Sequence, residues 1–160
     1  MVLTSRELIF KRWMFFSAIL YGLGGLGFAL FPLVATNWIQ EQPAAMISTT
    51  SAANPMVLAS TAAFFWNALA VAMMATITLS AARAWRDPVG AAGYAMIIVA
   101  SKFTASAMAI VTLLLDPGNT AHTFPLVIAA SDLPLGAVTL WTFTMAKRSR
   151  AAADREGAES

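Results

Sequence analysis

The chain contains no cysteine. Disulfides, thiol catalysis, cysteine-based zinc sites and any iron–sulfur cluster ligated by cysteine are therefore excluded. It has a single histidine, His122. A histidine-rich metal site built by this chain alone is excluded with it. Charge is scarce as well: Asp, Glu, Lys and Arg make up 11% of the residues, against about 25% in soluble domains. No P-loop, H-E-x-x-H or serine-nucleophile motif is present. No motif is specific enough to name a family.

What fills the space is apolar. Hydrophobic residues make up 59% of the chain, and the mean hydropathy is +0.70. This is the composition of an integral membrane protein, and soluble function classes are set aside. The net charge of +2 comes mostly from the ends and one loop. It reports topology and predicts no nucleic-acid partner.

Four apolar stretches, at about 13–36, 56–82, 89–115 and 124–146, stand out. Each is long enough to cross about 30 Å of hydrocarbon as a helix of about 20 residues. They are longer than the alternating strands of a β-barrel, and backbone satisfaction in lipid then requires helices. The expected fold class is an all-α integral membrane protein: a four-transmembrane-helix antiparallel bundle with both termini cytoplasmic. Residues 1–147 form one transmembrane domain, and 148–160 a polar cytoplasmic tail of disorder-like composition.

The boundaries carry local signals. Thr4 and Glu7 have the spacing of a capping box, so the first helix starts before its apolar run. Asp87-Pro88 breaks the chain between spans two and three, and Asp116-Pro117-Gly118-Asn119 between three and four. Trp13, Trp38, Trp85 and Trp141 fall near span ends, where indoles settle at the interface. The first apolar run exceeds the length of a secretory signal, and three more follow, so it reads as a retained helix.

Orientation follows from the basic residues. Arg6, Lys11 and Arg12 precede span one, and Arg83 and Arg86 lie between spans two and three. Lys147, Arg148, Arg150 and Arg155 follow span four, while loops 37–55 and 116–123 hold no lysine or arginine. The basic side is cytoplasmic by the positive-inside rule. The expected location is a bacterial inner membrane, with loops 37–55 and 116–123 on the periplasmic side.

Lys102 is the one basic residue that breaks this segregation. It sits mid-way along span three, and Asp132 sits alone in span four. An ionised side chain at mid-bilayer costs about 2.5–3.5 kcal/mol on insertion scales. A cation and an anion on neighbouring helices offset each other. The expected cluster is a buried Lys102–Asp132 pair assisted by Asn67, Ser106 and Ser131. Pro134 lies two residues beyond Asp132 and deprives the Ala130 carbonyl of its helical donor, and Gly136 follows. A helix kink at Pro134 and Gly136 is expected, of the sort that marks binding positions in transporters. The competing expectation is a self-satisfied pair that only fixes helix register.

Gly22-Leu23-Gly24-Gly25-Leu26-Gly27 literally matches G-x-G-x-x-G. A dinucleotide site needs that motif between a strand and a helix, and here it lies inside a span. The expected role of Gly22, Gly24, Gly25 and Gly27 is close helix packing. Ser101, Ala105 and Ala109 form a second small stripe for helix packing on span three. His122 reads as a solvated loop residue, with a tetrapyrrole ligand or pH sensor as the lesser alternative.

With so little chain outside the membrane and no redox ligands, the leading expectation is an accessory or scaffold subunit of a larger membrane complex, with an energy-transducing complex as one home. Its partners are the lipid bilayer and other membrane subunits, and bound lipid or pigment is compatible with the faces described. The alternatives are a small proton-linked transporter using Lys102 and Asp132, or a membrane enzyme on a lipophilic substrate with Asp132 as acid or base.

Overall fold

A computed structural model describes residues 3–30, 55–115 and 123–159. They form four helices: α1 Ser5–Leu30, α2 Pro55–Arg86, α3 Gly93–Leu115 and α4 Thr123–Glu159. There is no strand among the described residues. All four helices are long and apolar enough to cross a membrane. Residues 31–54 and 116–122, which include the end of the expected first span, Trp38 and His122, lie outside the described residues.

The helix starts follow local chemistry. Thr4 and Glu7 form the capping box at the start of α1. The Glu7 N–H donates to Thr4 Oγ1 at 3.3 Å, and Glu7 Oε2 accepts from the Thr4 N–H at 2.7 Å. Between α2 and α3, Asp87 Oδ1 accepts the Gly90 N–H at 2.8 Å. This turn holds residues 88–92, so α3 starts at Gly93 rather than at the apolar Val89. An aspartate that bonds its own downstream backbone favours a turn over a helix.

The end of α4 differs from expectation. The chain beyond Ala146 does not leave the helix; α4 continues to Glu159. The segment is rich in alanine, the best helix former, and Arg150 is tied to α1 by an ion pair described below. A helix of 37 residues is about 55 Å long at about 1.5 Å per residue. That exceeds about 30 Å of hydrocarbon, so part of α4 extends beyond it.

α1 packs most extensively on α2, and α3 on α4; α1 also meets α4, and α2 meets α3. The core gathers Phe10, Met14 and Tyr21 from α1, Ile77, Ala81 and Ala84 from α2, Ala95 and Ile98 from α3, and Ala146 from α4. Many large apolar side chains point outwards instead, among them Phe16, Leu23, Leu79, Leu114 and Trp141. In water such a surface is a liability; against lipid tails it is the low-energy arrangement.

The α1 glycines divide. A Cβ on Gly25 would lie 3.1 Å from Met74 Cβ, and one on Gly22 would lie 3.6 Å from a Thr78 methyl. Among the described residues, a Cβ on Gly24 would approach only the Met74 sulfur, and one on Gly27 would meet nothing within 4 Å. Gly25→Leu is therefore expected to push α1 from α2 at a cost of about 1–3 kcal/mol. Gly27→Leu should stay within about 0.5 kcal/mol of the parent. Equilibrium unfolding of the two variants in detergent measures the difference. On α3, Ala109 of the small stripe is buried, and Ser101 and Ala105 are half-buried.

Candidate functional site

Three helices meet at Lys102. Its Nζ donates to Asp132 Oδ1 at 2.7 Å, and the side chains are 3% and 14% exposed. The same ammonium lies 4.6 Å from the centroid of the Tyr21 ring of α1. A cation over an aromatic face is attracted by about 0.5–2 kcal/mol, more when desolvated. The lysine charge is thus held by a carboxylate from α4 and a π-face from α1.

The backbone makes this possible at Gly136. A Cβ there would stand 3.1 Å from Lys102 Cβ and 3.6 Å from the Phe103 ring. Without a side chain at 136, α4 approaches α3 at the root of the lysine. Asp132 is one turn before Gly136 on the same face, so the ammonium reaches it within hydrogen-bond distance. Pro134 lies within α4, which runs through it without a break in helical structure.

The remaining members of the expected cluster sit differently. Ser131 is exposed and donates to its own helix, at the Ile128 carbonyl, at 3.3 Å. It therefore makes no bond to the pair. Ser106, one turn from Lys102 on α3, is buried, as is Asn67 on α2. Among the described residues neither Ser106 Oγ nor Asn67 Oδ1 has a hydrogen-bond partner. Buried polar atoms are normally satisfied by protein or by ordered water.

A second ion pair lies at the basic end. Arg150 grips Glu7 with two bonds, Nε to Oε1 at 2.7 Å and an amino nitrogen to Oε2 at 2.8 Å. Glu7 is 2% exposed and Arg150 17%. The fork-to-fork geometry is the strongest form of such a contact. Between the two pairs, Trp13 Nε1 donates to Thr139 Oγ1 at 2.9 Å, and that hydroxyl donates to the Leu135 carbonyl at 2.8 Å. Phe10 and Phe143 pack with ring centroids 6.1 Å apart. α1 and α4 are therefore joined at several levels.

No family model, curated protein or solved structure matches this chain. Its chemistry must be read from the residues alone. Among the described residues no group of three His, Cys, Asp or Glu side chains converges on a possible metal position.

Two features of these sites escape sequence reasoning. Tyr21 sits in the apolar run of α1, where its ring looks like packing or an interface anchor. Glu7 and Arg150 each have a sufficient local explanation, the cap and the basic flank. The one hint is that Glu7 is the sole acid before the first apolar run, close to several basic residues.

Proposed function

We propose that the protein is an accessory or scaffold subunit of a larger membrane complex. The observation that carries this reading is the closed state of the Lys102 charge. It is buried, bonded to Asp132 and covered by Tyr21. A pair satisfied this way spends its polar capacity on holding α1, α3 and α4 together. The exposed apolar side chains, in turn, offer long faces to lipid or to neighbouring membrane helices.

The topology proposed with it is an antiparallel four-helix bundle. Two observations support opposed neighbours: Gly22 meets Thr78 while Gly25 meets Met74, and Glu7 meets Arg150 while Trp13 meets Thr139. In each case the partner number falls as the α1 number rises. Arg6, Lys11, Arg12, Arg83, Arg86 and the residues from Lys147 onward then share one end, which the positive-inside rule makes cytoplasmic. A bacterial inner membrane, with residues 37–55 and 116–123 periplasmic, is part of this proposal.

Gentle native purification tests it, with mass spectrometry of everything that co-purifies. Stoichiometric membrane partners are expected. Recovery of the chain alone, stable and free of pigment, overturns the subunit reading.

One observation favours a second reading, a small proton-linked transporter. Ser106 Oγ and Asn67 Oδ1 are buried without partners, and Ser106 lies one turn from Lys102 on the same helix face. Replacing Lys102 and Asp132 together by leucine separates the two. Transport abolished in reconstituted vesicles, with assembly intact, would favour the carrier.

A further inference from the structure

A cavity of about 350 Å³ opens at the basic end, between the start of α1, the α2–α3 turn and the stretch of α4 that carries Phe143 and Arg150. This volume is within the range of small-molecule sites. We propose that it seats the headgroup of an anionic phospholipid, with the phosphate at Lys147 and the glycerol and upper acyl carbons on the apolar wall.

The wall and the charges point to that chemistry. Phe10, Val89, Ala92, Phe143 and Ala146 make one side apolar. A bare inorganic anion would leave most of this wall unfilled, whereas an amphiphile covers it. The charged lining is Glu7, Arg150 and Lys147. Glu7 and Arg150 neutralise each other through two bonds, which leaves Lys147 as the lining charge with no ion-pair partner among the described residues. Lys147 and Gly93 both line the cavity and are both exposed, so they lie on its open side. Gly93 opens α3, and a helix start adds positive partial charge.

Position supports a lipid over a soluble amphiphile. Arg6, Lys11, Arg12, Arg83, Arg86 and Arg148 flank the apolar runs at the same end. Basic pockets between membrane helices at such an interface suit anionic headgroups. The subunit reading rests on the Lys102–Asp132 pair, which does not line this cavity, so the site stands apart from that reading.

The experiment uses the full chain, delipidated in detergent. Native mass spectrometry follows titration with phosphatidylglycerol, phosphatidylcholine or inorganic phosphate. One retained phosphatidylglycerol per chain is expected, with phosphatidylcholine retained about fivefold more weakly or less, since one basic residue near the surface contributes about that factor. Lys147→Glu is expected to weaken phosphatidylglycerol retention by about tenfold. Gly93→Phe, at a position where an added Cβ meets nothing within 4 Å, is expected to fill the mouth and abolish retention of both lipids. Thermal melts identify either variant if it fails to fold, and the other then decides. Equal retention of the two lipids, retention unchanged in the folded variants, or competition by inorganic phosphate alone would each overturn the proposal.

Discussion

Asp132→Ala is expected to destabilise the protein by about 3–5 kcal/mol, because it leaves an ammonium buried without its anion. Lys102 is 3% exposed, so water cannot replace the lost carboxylate. The Tyr21 face offsets only part of the loss, about 0.5–2 kcal/mol. Replacing Lys102 and Asp132 together by leucine has a different outcome. Both desolvation costs disappear with the pair, and substitutions of this kind are often neutral or stabilising by about 1–4 kcal/mol. The comparison of single and double variants by equilibrium unfolding in detergent checks this. A double variant as unstable as Asp132→Ala would mean that the pair contributes far more than mutual neutralisation.

The contact at Gly136 sets a limit on the repair. Leucine at 102 must fit beside a backbone whose added Cβ would stand only 3.1 Å from the Lys102 Cβ. Methionine at 102, unbranched like lysine, fits that passage better. The pair Lys102→Met with Asp132→Leu is therefore expected to be the more stable of the two double variants.

Arg150→Ala is expected to have the second large effect. It strands Glu7, which is 2% exposed, at a cost near the lower end of the about 3–5 kcal/mol range for a broken buried pair. The discount reflects Arg150 itself, which is 17% exposed and sits at the end of the apolar run. The loss has a local signature as well. Without Arg150 on Glu7, the helical turns of α4 from Ala151 to Glu159 lose their anchor on α1. Their amide hydrogens should exchange markedly faster than in the parent, while those of α3 change little. Uniform acceleration across all four helices would show that Arg150 acts on global stability alone. Glu7→Gln keeps the cap geometry with Thr4 and isolates the charge: it should reproduce the fraying of α4 with a smaller loss of stability, since no buried anion remains.

Much of the fold is legible in the chain. A run such as residues 93–115 is too long and too apolar to be anything but a membrane-length helix. The placement of Arg83 and Arg86 on one flank, with none in residues 37–55, carries the orientation that we propose. The join of Lys102 to Asp132 is also readable, since each charge lacks another partner at mid-span and a short connection makes their helices neighbours. The tail is the counter-example. Its charges suggest disorder, but its alanines favour helix and one of its arginines has a buried partner 143 residues away in sequence.

Sequence alone determined the class of this protein: helices of membrane length, their basic flanks and the flanks without lysine or arginine, and the residues forced into company by burial. These are properties of single segments, set by length, hydropathy and the cost of isolated charge. The tertiary structure decided which side of each helix faces inwards. That choice placed Tyr21 over Lys102, turned Ser131 outwards and Ser106 inwards, sent Gly25 rather than Gly27 against α2, and paired Glu7 with Arg150. It depends on how each helix is rotated about its own axis. In a segment that is apolar all round, local hydropathy barely constrains that rotation, so only the packing of one helix on another can set it.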